Sequence, residues 1–217
     1  MMDRRAFLLG AGALTLTSGE GLAALPVPAG GRLTFKVVRK GETIGYHHVT
    51  FSKAGDTLVV RVSVDLTVKL GPVPIYRYSH RVTETWRGDD VVALDADTND
   101  NGTRLRVSGE RKGEGLSIVS TKSGSYEAPS NALPATHWNR RMLDGPFINT
   151  QTGELMRPAI AFKGAERIET ASGQALTARR FALTGPVRLD TWYDDTPTWQ
   201  ALVFTAEDGS QIAYQKA

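Results

Sequence analysis

Leu58-Val59-Val60-Arg61-Val62-Ser63-Val64-Asp65-Leu66-Thr67-Val68-Lys69-Leu70 decides the fold class. Leu58, Val60, Val62, Val64, Leu66, Val68 and Leu70 fall on one side of an extended chain. Arg61, Ser63, Asp65, Thr67 and Lys69 fall on the other. That period of two is the signature of a half-buried β-strand. At ~3.3 Å per residue such a strand is about 40 Å long, too long to stay flat, so it is expected to coil.

Working outward, turn signals recur at short intervals: Lys40-Gly41, Ala54-Gly55-Asp56, Gly71-Pro72-Val73-Pro74, Asn101-Gly102, Gly113-Glu114, Gly173, Gly185-Pro186 and Asp208-Gly209. The intervals leave no room for crossover helices, so the sheet must be antiparallel. The expectation is an all-β protein: a long, strongly curved antiparallel meander of about twelve strands, an open or half barrel, with at most one short helix. That helix belongs in Ser123 to Phe147, which breaks the alternation with three prolines, Trp138 and Asn139-Arg140-Arg141-Met142-Leu143. Residues 25–217 read as one such domain.

Register follows from parity, because a one-residue slip exchanges the two faces of a strand. Asn101-Gly102 suits a two-residue type I′ turn, in which both positions need positive φ. Pairing Asp100 with Thr103 then sets Thr98 opposite Leu105 and Ala96 opposite Val107. A four-residue loop over Gly71 to Pro74 would oppose Val68 to Arg77 and bring arginines onto the apolar face. A five-residue loop, or a bulge with the same effect, opposes Val68 to Tyr78, Leu66 to His80 and Val62 to Glu84.

That parity turns Tyr76, Tyr78, His80, Val82, Glu84 and Trp86 inward, with Arg77, Arg81 and Arg87 outward. His80 and Glu84 lie roughly 13 Å apart along one face, too far to pair with each other. Each needs another partner, since an unpaired buried charge is costly. Both could be satisfied within a filled core. Alternatively, an aromatic-walled cavity with a few polar groups would be a small-molecule site. Its candidate ligand-binding residues are Leu66, Tyr76, Tyr78, His80, Glu84, Trp86, His137 and Trp138, with the Ser123 to Phe147 segment covering the mouth. The expected occupant is an apolar or amphipathic small molecule or lipid. An enzyme using His80 or Glu84, and a structural or partner-binding envelope protein with a filled core, remain as alternatives.

Other chemistries find little support. The chain has no cysteine, which excludes disulfides, thiolate metal sites and cysteine nucleophiles. His47 and His48 are adjacent on a strand and face opposite sides, so they do not share a metal. Asp95-Ala96-Asp97-Thr98-Asn99 begins like a calcium loop. It then has Asp100 where glycine is needed and Arg106 where a glutamate is needed. No phosphate-cradling or dinucleotide glycine loop and no nucleophile elbow is present. No metal and no cofactor is expected. The net charge of +3 is spread along the chain, a solvated surface rather than a nucleic-acid face.

The first 24 residues read as a processing segment. Asp3-Arg4-Arg5-Ala6-Phe7-Leu8 resembles the twin-arginine export consensus, although Asp3 stands where Ser or Thr is usual. The apolar run Ala6 to Leu16 is well short of the ~20 residues that span a bilayer. Gly21-Leu22-Ala23-Ala24 offers cleavage after Ala23 or Ala24. The twin-arginine translocase is thus the expected partner during export, the periplasm the destination, and no stable membrane span is expected after cleavage.

Gly41-Glu42-Thr43-Ile44-Gly45-Tyr46-His47, Tyr76-Arg77-Tyr78, Glu84-Thr85-Trp86, Asp100-Asn101-Gly102, Trp192-Tyr193-Asp194 and Asp208-Gly209-Ser210 resemble an uncharacterised family of exported proteobacterial β proteins, the domain-of-unknown-function family numbered six-one-three-four. The resemblance implies an all-β periplasmic domain and carries no activity, so it assigns no site residues.

Overall fold

The computed structural model describes residues 25–217; the expected signal segment, 1–24, lies outside them. Sixteen strands are present among the described residues: β1 (Arg32–Arg39), β2 (Glu42–Ala54), β3 (Thr57–Leu70), β4 (Val73–Arg87), β5 (Asp90–Asp100), β6 (Thr103–Lys112), β7 (Gly115–Ser120), β8 (Gly124–Ala128), β9 (Leu133–Pro134), β10 (Phe147–Ile148), β11 (Leu155–Met156), β12 (Ala159–Glu169), β13 (Ala175–Thr184), β14 (Leu189–Tyr193), β15 (Trp199–Thr205) and β16 (Gln211–Lys216). Thirteen of them form one open sheet in the order β12-β13-β14-β15-β16-β1-β2-β3-β4-β5-β6-β7-β8. The strand pairs in this sheet are antiparallel, and neighbours in space are neighbours in sequence except at the seam between β16 and β1, where Phe35 faces Lys216. Among the described residues no helix is long and apolar enough to cross a membrane.

The alternation in β3 and β4 does what it predicts through the middle of both strands, but Leu70, expected on the buried face, lies at the hairpin tip and is exposed. Val60, Val62 and Val64 are buried with His80, Val82, Glu84 and Trp86, while Arg61, Asp65 and Arg81 are exposed. The β5–β6 hairpin has the expected register, with Asp100 opposite Thr103, Thr98 opposite Leu105 and Ala96 opposite Val107. Asn101 and Gly102 both have positive φ, 48° and 101°.

The β3–β4 hairpin keeps the expected parity but not the expected pairs. Val68 faces Tyr76, Leu66 faces Tyr78, Val64 faces His80 and Val60 faces Glu84, two residues from the five-residue-loop register. The turn is tighter. Leu70 pairs with Val73 around Gly71-Pro72, and Gly71 has φ of 59°. The register shift between Val68 and Lys69 then leaves Ile75 as an extra residue. A bulge therefore does the work assigned to a longer loop.

The Ser123 to Phe147 stretch also divides differently. Its start is the edge strand β8, and its expected helix is a 3-10 turn over Arg140–Asp144, capped by the Asn139 side chain accepting from the Arg141 amide. The connection from β8 to β12, residues 129–158, carries this turn and a small sheet in the order β11-β10-β9. It packs on the buried face of the large sheet. The Trp138 indole meets Phe51 and Trp86 edge-on, each at 5.2 Å, while His137 stacks on Trp199 at 5.2 Å. Strands β2 and β4 are thus tied through one short segment to β15. Laid flat, β4 and β14 would stand about 29 Å apart, six spacings of ~4.8 Å. Curvature brings both around residues 129–158.

Candidate functional site

The site begins with β4, whose inward residues meet two environments. Toward Arg87 lies Glu84, fully buried between Val60 and Leu94 on the neighbouring strands. Its carboxylate accepts from the Thr136 hydroxyl at 2.5 Å, the Trp86 indole at 2.7 Å and the Trp138 indole at 3.0 Å. Burial pushes its pKa up, and these three donors hold it back. This carboxyl fastens residues 129–158 to the sheet. Glu84, Trp86 and Trp138 therefore belong to filled core; none of the three lines the cavity described next.

Toward the Gly71-Pro72 turn the interior opens. A cavity of ≈ 360 Å³ is bounded by Leu66, Tyr76, Tyr78 and His80 on one side and Leu202, Phe204 and Tyr214 on the other, with Ala135 and His137 as the floor. Five of the eight residues singled out from sequence, Leu66, Tyr76, Tyr78, His80 and His137, meet here. A groove of ≈ 600 Å³ shares Leu66, Tyr76, Asp100 and Phe204 with the cavity and forms its mouth.

The far wall was not legible from sequence. Leu189, Leu202, Phe204 and Tyr214 come from β14, β15 and β16. Alternation shows which face each occupies, but not that this half of the sheet folds over β4. His47 was also passed over. It is buried while His48 on the opposite face bonds Thr34, as their adjacency demands. The signal that could have found it is parity with Val49 and Phe51 in β2.

Three imidazoles line the cavity, and none carries a charge at neutral pH. His80 is held on both nitrogens, by Thr98 at 2.8 Å and Thr150 at 3.0 Å. Burial, aided by Arg81, lowers its pKa to about 4. Burial alone takes His137 to about 4. Burial and then the nearby His137, His80 and His48 hold His47 well below its ordinary value. His47 Nε2 and His137 Nδ1 are buried without a hydrogen-bond partner, an uncommon state for such atoms. His137 also sits at φ of 65°, which costs about 1–2 kcal/mol for a residue with a Cβ. Its carbonyl accepts from the Tyr193 hydroxyl at 2.9 Å, which helps to hold it there. Burial raises Tyr214 to about 12 and moves Tyr78 well upward, so both phenols stay neutral. The charged lining residues, Asp100 and Arg188, are exposed. Among the described residues no group of three or more His, Cys, Asp or Glu could hold a metal ion.

The histidines give a pH dependence. Unfolded imidazoles bind protons below about pH 6.5, and the folded ones resist until far lower. Their contribution to stability is therefore complete above 6.5 and is lost as pH falls toward 4. For His80 and His137, each moved from 6.5 to about 4, this amounts to about 3 kcal/mol apiece. Urea unfolding should show stability dropping steeply from pH 7 to 4.5, with a shallower drop in His80→Gln. An equally steep drop in that variant would remove His80 from the account.

The comparisons with known proteins address the fold. No curated protein matches the chain. A crystal structure of a β-barrel-like protein of domain of unknown function DUF1849 from Brucella abortus superposes with a TM-score of 0.60 at 6% identity, covering 86% of this chain and 94% of that one. At so low an identity the likeness is one of fold. Residues 35–217 match the family described as domain of unknown function DUF6134, and the chain belongs to that family.

Proposed function

We propose that this protein is an exported periplasmic binding protein that takes one small, largely apolar molecule into the cavity between the concave sheet and residues 129–158. Export rests on the twin-arginine-like segment around Arg4-Arg5, with the translocase as its partner on the way out. Binding rests chiefly on one observation. The ≈ 360 Å³ cavity has apolar and aromatic walls, uncharged imidazoles and phenols within, and its charges at the mouth. Its size and lining are those of a small-molecule pocket. The His47 and His137 nitrogens without partners give an uncharged polar group on the ligand something to bond. The enzyme reading gains nothing from the site, because Glu84 is sealed against Trp86 and Trp138 while both nitrogens of His80 are engaged by threonines.

Native mass spectrometry of protein purified from periplasm should reveal a co-purifying apolar mass. A variant provides the control. Ala135 forms part of the cavity floor, so Ala135→Trp should fill the space and weaken the neutral fluorescent probe N-phenylnaphthylamine by about tenfold or more through steric exclusion. Saturable binding by wild type and equal binding by a folded Ala135→Trp protein would place the ligand elsewhere.

A further inference from the structure

The tip of the β3–β4 hairpin is the most apolar exposed feature of the described residues. Leu70 is 72% exposed, Val73 57% and Ile75 54%, and Pro72 and Pro74 stand between them. Leu70-Gly71-Pro72-Val73-Pro74-Ile75 carries no charged or polar side chain across six positions. Contiguous apolar surface of this kind on a soluble domain marks a contact site. We propose that this tip inserts into the surface of a lipid bilayer and seats the cavity mouth against it.

Three observations favour lipid over a protein partner. Two of the six positions are prolines, so the tip brings fewer N–H groups into a medium that cannot bond them. The rungs beyond Lys69 reach about 7–10 Å, close to the ~5–10 Å at which interfacial segments sit. The charged residues begin where the headgroups would be. Lys69 adjoins Leu70, Arg77 follows Ile75 by two residues, and Lys40 of the β1–β2 turn borders the same groove as Lys69, Leu70 and Ile75. The acids nearby are Glu42 in that groove, and Asp100, Glu207 and Asp208 across the mouth; Asp100 accepts from Tyr76 and Asp208 is paired with Arg39.

The tip also adjoins the mouth. Ile75, Val68 and Leu66 line the mouth groove, and Leu66 and Tyr76 continue into the cavity. A bilayer touching Val73 would lie over the route by which an apolar molecule enters. The docking goes beyond the binding reading and stands on the tip alone.

The test is flotation of the mature protein with phosphatidylethanolamine–phosphatidylglycerol vesicles, beside the triple variant Leu70→Ser, Val73→Ser, Ile75→Ser. The replaced side chains are exposed, so the variant should keep its urea midpoint. It should lose vesicle binding by about tenfold or more, as expected for three apolar side chains left out of the interface. In a second variant, Val73→Trp, brominated lipid should quench the added indole. The proposal is overturned if wild type does not float, if the triple variant floats as well as wild type, or if the Val73→Trp signal ignores brominated lipid. It is equally overturned if light scattering finds a dimer that the triple variant abolishes while no vesicle binding occurs, which would assign the tip to a second copy of the chain. Absence of saturable probe binding by wild type, with its flotation and the triple variant's loss of flotation as expected, would count against the cavity reading alone.

Discussion

Glu84→Ala should destabilise the fold by about 3–5 kcal/mol, the range for removing one partner of a buried, charge-bearing network. The substitution removes the acceptor of three donors at once. The Trp86 and Trp138 indoles and the Thr136 hydroxyl are buried, and only Trp86 shares a strand with Glu84. The other two belong to residues 129–158, so the loss falls on the joint between sheet and plug. Glu84→Gln keeps one acceptor oxygen but turns an amide N–H₂ toward a donor, so an intermediate loss is expected. Because burial raises the folded pKa of this carboxyl, its contribution is greatest in acid and declines as pH rises through that raised value. Relative to Glu84→Gln, wild type should therefore lose ground as pH rises above 4.5, the carboxyl's ordinary value. Urea unfolding at several pH values measures both effects. A Glu84→Ala loss under 1 kcal/mol would mean that the three donors find other partners and that the plug is held by packing alone.

Gly45→Ala should be comparably damaging for a backbone reason. Gly45 sits at φ of 156° in β2, beside the irregularity in which Val37 faces Gly45 and Val38 faces Thr43. A Cβ there would lie 1.9 Å from the Asp65 carbonyl oxygen and 2.9 Å from its carbon, atoms of the adjacent strand. Main chain cannot swing aside as a side chain would. Either β2 and β3 separate at this rung or β2 abandons its bulge, and a cost of about 3 kcal/mol or more is expected from strain of this kind. Gly45 faces Leu66, a wall of the cavity, so N-phenylnaphthylamine binding should weaken along with stability. A melting midpoint matching wild type would show that the bulge can relax freely.

The two residues also mark what could be read from the chain and what could not. Alternation in Leu58–Leu70 and its continuation through Trp86 establish which side chains point inward, since that depends on parity alone. His80 and Glu84 were found this way, and both are buried. Pairing is a finer matter. The β3–β4 pairs lie two residues from expectation because a bulge at Ile75 and a longer loop restore the same parity. What separates His80 from Glu84, one beside a cavity and the other in solid core, lies in neither strand. It depends on Thr136 and Trp138 arriving at Glu84 while Ala135 and Thr150 leave space near His80. An irregular segment carries no period, so its path could not be read. Nor could the far wall from β14 to β16, because curvature between strands distant in sequence leaves no local mark.

The seam where Phe35 faces Lys216 and Val38 faces Ala213 sets an order on assembly. Hairpins β1 through β8 can zip up locally as they leave the ribosome, but the second edge of β1 waits for a partner encoded almost at the far end. Until Gln211–Lys216 emerge, β1 and β15 each present an unpaired rim, and the half-made curve cannot close over its contents. Joining them spans most of the chain, a slow step for any polypeptide. A nascent protein of this design stays open along one line until its final strand is delivered.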